Sequence, residues 1–154
     1  MTVRVQNEDF DVNAEIDALR GLSDEIGAIV TFTGTVRGRA NGESLSAMTL
    51  EHYPGMTERE LARVEAMALE RWPLQGTTII HRIGELEPGA NIVLVVTASR
   101  HRQAAFDAAA FLMDYLKTSA TFWKKEAAAD GSGSWVDARE SDDEALARWA
   151  DPPA

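Results

Sequence analysis

The sequence predicts an α+β domain with a largely antiparallel or mixed sheet. Three observations carry this. AIVTFTGTVR (28 to 37) alternates β-branched and small residues, as a half-buried strand does, and NIVLVVTAS (91 to 99) is an unbroken apolar run of the kind found in the middle of a sheet. Between and after such strands lie segments with helical spacing, above all residues 100 to 118, where Ala105, Ala109, Leu112 and Leu116 form one stripe.

In chain order, NAEIDALRGL (13 to 22) places Ile16, Leu19 and Leu22 on one face of a short amphipathic helix. The strand 28 to 37 follows and ends at Arg37. GRANGE (38 to 43) is polar and punctuated by glycine, which predicts a mobile loop, and SLSAMTLEHY (44 to 53) is the next strand. Pro54-Gly55 breaks that strand, and Thr57 with Glu60 has the pattern of a capping box opening a helix through about Trp72. TTIIHRIGEL (77 to 86) is a strand, EPGA (87 to 90) a turn, and 91 to 99 the central strand. Ser99 is placed to cap the helix 100 to 118. TFWKKEAA and SWVDAR flank DGSGS, which predicts a C-terminal β-hairpin. The acidic segment from Ser141 is expected to be a frayed helix and then a disordered end, DPPA. Without repeats or a linker, residues 1 to 154 read as one domain.

Composition narrows the function. At 154 residues with 45% apolar and 26% charged residues, the chain resembles an ordinary globular protein, and no apolar run approaches the ~20 residues that span a bilayer. The N-terminus lacks the apolar core of a signal peptide, so a cytoplasmic location with no membrane partner is expected. The net charge of −10 argues against nucleic acid, but the charge is unevenly spread. Acidic ends flank a slightly basic body between residues 28 and 125, leaving room for a local anion site. With no cysteine, there is no disulfide, thiolate metal site or cysteine nucleophile. His52 and His81 fall in strand patterns that suit packed or hydrogen-bonded histidines, and three histidines give no zinc spacing, so neither metal nor cofactor is expected.

Two features could carry chemistry. At the strand-to-helix junction TASRHRQAAF (97 to 106), Arg100, His101 and Arg102 add positive charge to a helix N-terminus, where it opposes the dipole unless an anion sits there. Solvated surface charge is the plain alternative. The second feature is lysine usage. All three lysines, Lys117, Lys124 and Lys125, lie within MDYLKTSATFWKKE (113 to 126), whereas the twelve other basic residues are arginine. A guanidinium stays protonated, so amines concentrated in one stretch point to a need for a neutral amine. Lys117 closes a stripe with Phe106, Ala110 and Met113, and Lys124 follows two aromatics on a presumed strand. Two amines on a dry face would repel and lose hydration, both of which favour the neutral form. A cation in the last helical turn is the alternative for Lys117. Lys125 should point to the opposite strand face from Lys124.

Arg102 and Lys117 are fifteen residues apart on one helix, roughly 22 Å. If both serve one small ligand, the site is built from two copies, with His101 and Arg102 of one facing the lysines of the other in a C2 dimer.

As a set, the runs VTFTGTVR, LEHYPGMTE, RWPL, IIHRIGELEPG, FLMDYLKT, FWKKE and WVDARES, spread over about residues 28 to 142, closely resemble the catalytic (MoaE-type) subunit family of molybdopterin synthases. The resemblance implies an α/β hammerhead-type fold and a homodimer core of a heterotetramer with composite sites. The partner it implies is a small ubiquitin-like sulfur carrier whose C-terminal Gly-Gly thiocarboxylate supplies sulfur to a pterin phosphate substrate. By motif, it makes Lys117 and Lys124 the catalytic pair. It assigns substrate binding to Thr35, Val36, Arg37, His101, Arg102, Lys125, Glu126 and Arg139, and the pocket for the partner's tail to Phe32 and Met113. It implies no cofactor and no metal. Two positions depart from the family pattern: Thr121 stands where a proline is expected, and Ser99-Arg100 precedes His101. The competing class is a non-catalytic module that captures the tail of a ubiquitin-like protein.

Overall fold

A computed structural model describes residues 2–40, 42–118, 122–128, 133–136 and 140–150. The elements run β1 (Thr2–Gln6), α1 (Val12–Arg20), β2 (Ala28–Thr35), β3 (Arg39–Ala40), β4 (Glu43–His52), α2 (Met56–Arg71), β5 (Leu74–Arg82), β6 (Gly84–Leu86), β7 (Asn91–Ser99), α3 (Arg102–Thr118), β8 (Phe122–Ala128), β9 (Gly133–Val136) and α4 (Glu140–Ala147).

Two sheets result. The first has the order β1-β5-β7-β2, with β1 parallel to β5 and the other pairs antiparallel. The second joins β3, β4, β8 and β9, with β6 also paired to β4. The expected α+β class with a mixed sheet, flanking helices and a β8–β9 hairpin is therefore what the chain forms.

β7 is interior, between β5 and β2, and apolar on both faces. Val93 and Val95 join Ile79, Leu61, Phe111 and Leu112 beneath α2 and α3, while Leu94 and Val96 join Ile80 and Leu19 of α1 on the other side. The strand period of two divides one apolar run between two cores, which is why it reads as continuous. Ala105, Ala108 and Ala109 bury the flat side of α3 against β7, close enough for the Thr97 hydroxyl to donate to the Ala105 carbonyl at 2.7 Å. The predicted α3 stripe of Ala105, Ala109, Leu112 and Leu116 is buried as a whole.

Several boundaries differ from expectation, each for a tertiary reason. β1 carries too short an alternation to stand alone; it exists because it pairs with β5, and Arg4 reaches over to Glu15 of α1 in an ion pair. The predicted strand 77 to 86 is two strands in different sheets, turned at Gly84, whose φ of +89° favours glycine. The polar 38 to 43 segment contains β3, paired with β4 through Arg39↔Ser44. α2 opens two residues earlier than the Thr57/Glu60 pattern suggests. Gly55, at φ +82°, is the cap, and its N–H donates to Glu58 Oε2 at 2.6 Å, while Thr57 is buried inside the first turn. Ser99 ends β7 rather than capping α3, its hydroxyl donating to the Pro73 carbonyl at 2.8 Å.

The acidic C-terminal segment is docked through residue 150, not frayed. Trp149 packs edge-on against Trp72 and Phe111, with centroids 5.6 and 5.5 Å apart, and Asp114 of α3 accepts from Trp149 Nε1 at 2.5 Å and Arg148 Nη2 at 2.8 Å. An aromatic anchor and a half-buried carboxylate hold this segment, features that its acidic composition conceals. DPPA, Arg139 and Thr121 lie outside the described residues.

Candidate active site

An aromatic contact between the sheets lies between the elements that carry two of the three lysines. Lys117 is the penultimate residue of α3 and exposed, a cation at the favourable end of the helix dipole. Beside it, His81 near the end of β5 stacks on Phe122, the first residue of β8, with ring centroids 3.8 Å apart and planes at 20°. His81 Nδ1 lies 2.8 Å from the Arg82 carbonyl; a carbonyl can only accept, so this nitrogen carries the proton. Burial pushes the His81 pKa down to about 4, against the raising effect of that hydrogen bond, and the charges of Lys117 and His52 lower it further. The ring is thus neutral at physiological pH and lies within the field of Lys117.

Register brings in the second lysine. His52 pairs with Phe122 and Leu50 with Lys124, and strand residues two apart share a face, so Phe122 and Lys124 rise on the face that carries His52 and Leu50. Lys124 is half-buried there. His52 adds a contact to Glu58 of α2, Nε2 to Oε1 at 3.7 Å. Lys125 and Glu126 also lie on β8, opposite Thr49 and Met48 of β4.

The end of β2 meets the same region from below. Thr35 is exposed, whereas the Val36 side chain is 2% exposed in a cluster with Met48, Leu50 and Leu86. Its N–H donates to the Ala90 carbonyl at 2.9 Å and its carbonyl accepts from Gly89 N–H at 2.8 Å. Val36 therefore anchors the strand end and turns out the next residue, exposed Arg37, so any ligand contact falls to its neighbours. Leu50 belongs to this cluster and is also the register partner of Lys124, which ties the Arg37 end of β2 to the β8 lysine. Phe32 stands on β2 at the edge of the first sheet, 38% exposed, and Met113 is half-buried against the core beneath α3.

His101 and Arg102 are exposed at the opposite end of α3 from Lys117, and no acid in the first turn offsets them. Arg100 is tied to Glu25 by an ion pair, and Gly27 N–H donates to the Ser99 carbonyl at 3.0 Å, fixing the turn that leads into the helix. The 17-residue helix separates the two groups, so one chain does not bring them together. The Phe106, Ala110, Met113, Lys117 stripe is not dry within one chain, with Phe106 58% exposed.

Reading along the sequence did not single out the His81–Phe122 stack. The strand pattern predicts a packed or hydrogen-bonded histidine, and His81 is both, but it stands 41 residues from Phe122 in the chain. Among the described residues, no group of three or more His, Asp or Glu could hold a metal ion, and no helix is long and apolar enough to cross a membrane.

Comparison with known proteins places the chain among relatives of one kind. A family model described as MoaE protein matches residues 5–119. A molybdopterin synthase catalytic subunit of Mesorhizobium japonicum is 60% identical over 149 residues, covering 96% of this chain and 92% of that relative. Among solved structures, a molybdopterin biosynthesis MoaE protein from Burkholderia ambifaria aligns with a TM-score of 0.82 at 52% identity, over 96% of this chain and 97% of that one. The molybdopterin synthase of Staphylococcus aureus aligns with a TM-score of 0.79 at 30% identity, over 86% and 95% of the respective chains.

Proposed function

The chain belongs to the MoaE family, and from that premise we propose that it is the catalytic subunit of a molybdopterin synthase. It converts cyclic pyranopterin monophosphate into the dithiolene of molybdopterin, using two sulfurs delivered as the C-terminal Gly-Gly thiocarboxylate of a small ubiquitin-like subunit. The observation that supports this most directly is the enclosed His81–Phe122 stack, which lies in the field of Lys117 and two residues before Lys124 on β8, in a chain without cysteine. Sulfur chemistry here needs sulfur from a partner, and amines to handle the protons.

Each group then has a role. Arg37, Arg102 and Arg139, with His101 and the N-terminus of α3, hold the phosphate and pterin, Thr35, Lys125 and Glu126 complete the binding wall, and buried Val36 supports it by anchoring the end of β2. Lys117 transfers protons or adds transiently to a carbonyl as sulfur attacks, with Lys124 as the second amine. Phe32 and Met113 accommodate the partner's tail. Because α3 holds His101 and Arg102 far from Lys117, the working site is composite, with each half from one copy of a homodimer, and one small subunit binds at each end. The protein works in the cytoplasm.

The decisive experiment is incubation with thiocarboxylated small subunit and the cyclic pterin precursor, followed by detection of dithiolene product. No product from reagents that are competent with a known synthase defeats the proposal. Lys117→Arg separates an enzyme from a tail-binding module. It keeps the charge but supplies no neutral amine, so turnover is expected to fall while the complex persists; unchanged turnover argues against amine chemistry. Mixing Arg102→Ala with Lys117→Ala chains tests the composite site, since heterodimers regain one intact site; no recovery of activity refutes it.

A further inference from the structure

The two lysines of the site sit on elements from different parts of the fold. Lys117 ends a helix packed on the first sheet, and Lys124 lies on β8 of the second. The distance between the amines therefore depends on how the end of β5 meets the start of β8. At that junction the structure has a face-to-face aromatic contact, His81 on Phe122, with centroids 3.8 Å apart and planes at 20°. His81 is 8% exposed, so the stack is enclosed, and the flanking residues in its sheet, Val5 of β1 and Val93 of β7, are apolar. The titratable groups that act on it are Lys117 from α3 and His52 from β4. Its Nδ1–H is committed to the Arg82 carbonyl at 2.8 Å, which fixes the ring plane. Phe122 is in turn held by its register partner His52 and lies two residues before Lys124 on the same strand face.

We propose that His81 is a positioning residue for sulfur transfer: stacked flat on Phe122, it clamps the start of β8 to the end of β5 and so sets the placement of Lys124 relative to Lys117. The inference rests on the function proposed above. What the clamp requires of position 81 is a flat, uncharged ring. A cation there would stand beside Lys117 in an apolar enclosure and would loosen the junction.

The test compares His81→Ala, which removes the ring, with His81→Phe, which keeps a flat uncharged one, and with Phe122→Leu, which removes the other half of the stack. In the assembled complex, His81→Ala and Phe122→Leu are expected to lower kcat by about tenfold or more, with affinity for the small subunit unchanged, because a small misplacement of reacting groups is costly. His81→Phe is expected to retain kcat within about threefold on the same reasoning. A second readout does not depend on catalysis. The chain has three lysines, all in one stretch, so pH-dependent acetylation followed by mass spectrometry reports each amine separately. The reactivities of Lys117 and Lys124 relative to Lys125 should change by about threefold or more in His81→Ala and Phe122→Leu but not in His81→Phe, since amine reactivity follows local solvation and charge. The proposal is overturned if His81→Phe falls as far as His81→Ala, which would assign the role to imidazole chemistry. It is equally overturned if His81→Ala leaves both kcat and the labelling ratios unchanged. If the unmodified chain forms no product, the functional reading fails separately, and the labelling ratios still decide whether His81 sets the lysines.

Discussion

Acidification should destabilise this protein through His81 by an amount that one substitution removes. The ring titrates near its ordinary 6.5 in the unfolded chain and at about 4 in the fold, mainly because of burial. Between those values the unfolded state binds a proton that the folded state does not, so stability falls as pH drops through 6.5 towards 4 and is independent of this group above 6.5. The full loss is about 3 kcal/mol, and about 2 kcal/mol of it is reached by pH 5. In a chain of this size that corresponds to a fall in Tm of about 4–8 °C. The assay is urea unfolding of the wild type and His81→Phe at pH 8 and pH 5. Absolute stabilities will differ, since the phenylalanine gives up the bond to the Arg82 carbonyl. The comparison lies in the pH dependence, where shifted carboxyls such as Asp9, Glu60 and Glu65 affect both proteins alike and cancel. The wild type should lose about 2 kcal/mol more than the variant. Equal losses would mean that His81 protonates freely in the fold, and the account of a neutral, enclosed ring would be wrong.

Other expectations follow from the same packing. Glu65 is buried and its carboxyl is raised by that burial, partly offset by a 2.6 Å bond from the Thr77 hydroxyl. A raised acid costs stability as pH rises above its unfolded value, so Glu65→Gln should raise Tm at pH 8 relative to wild type and lose that advantage at pH 4, as calorimetry at the two pH values would show. A Cβ on Gly27 would lie 2.3 Å from the Arg100 carbonyl oxygen, a backbone atom, so Gly27→Ala should cost about 1–3 kcal/mol and shift the His101 and Arg102 amide resonances. Asp114→Ala removes the acceptor for Trp149 and Arg148 and should release the C-terminal segment, with a loss of about 1–3 kcal/mol and faster hydrogen exchange over residues 140 to 150.

Much of the architecture was legible along the chain because it is written in local periodicity. The apolar run of β7, the alternation in β2, the alanine and leucine stripe of α3 and the β8–β9 hairpin each follow from side chains a few residues apart. β1 was not legible, since five alternating residues become a strand only by pairing with β5. The docked C-terminus was not legible either, because a single tryptophan and Asp114 outweigh an acidic composition. Within the site, the concentration of lysine between residues 117 and 125 was visible from usage alone, and helix geometry alone separated Arg102 from Lys117.

The sequence by itself therefore determined the class of elements, the residues proposed for chemistry and, through the lack of cysteine, that any sulfur to be transferred comes from outside the chain. Composition and spacing are properties of the chain before it folds. Only the tertiary structure decided that Val36 is an anchor rather than a free surface, that Gly55 caps α2, and that His81 meets Phe122 in the field of Lys117. Those outcomes depend on long-range strand register and on which groups lose their water, and neither is encoded in any short stretch of residues.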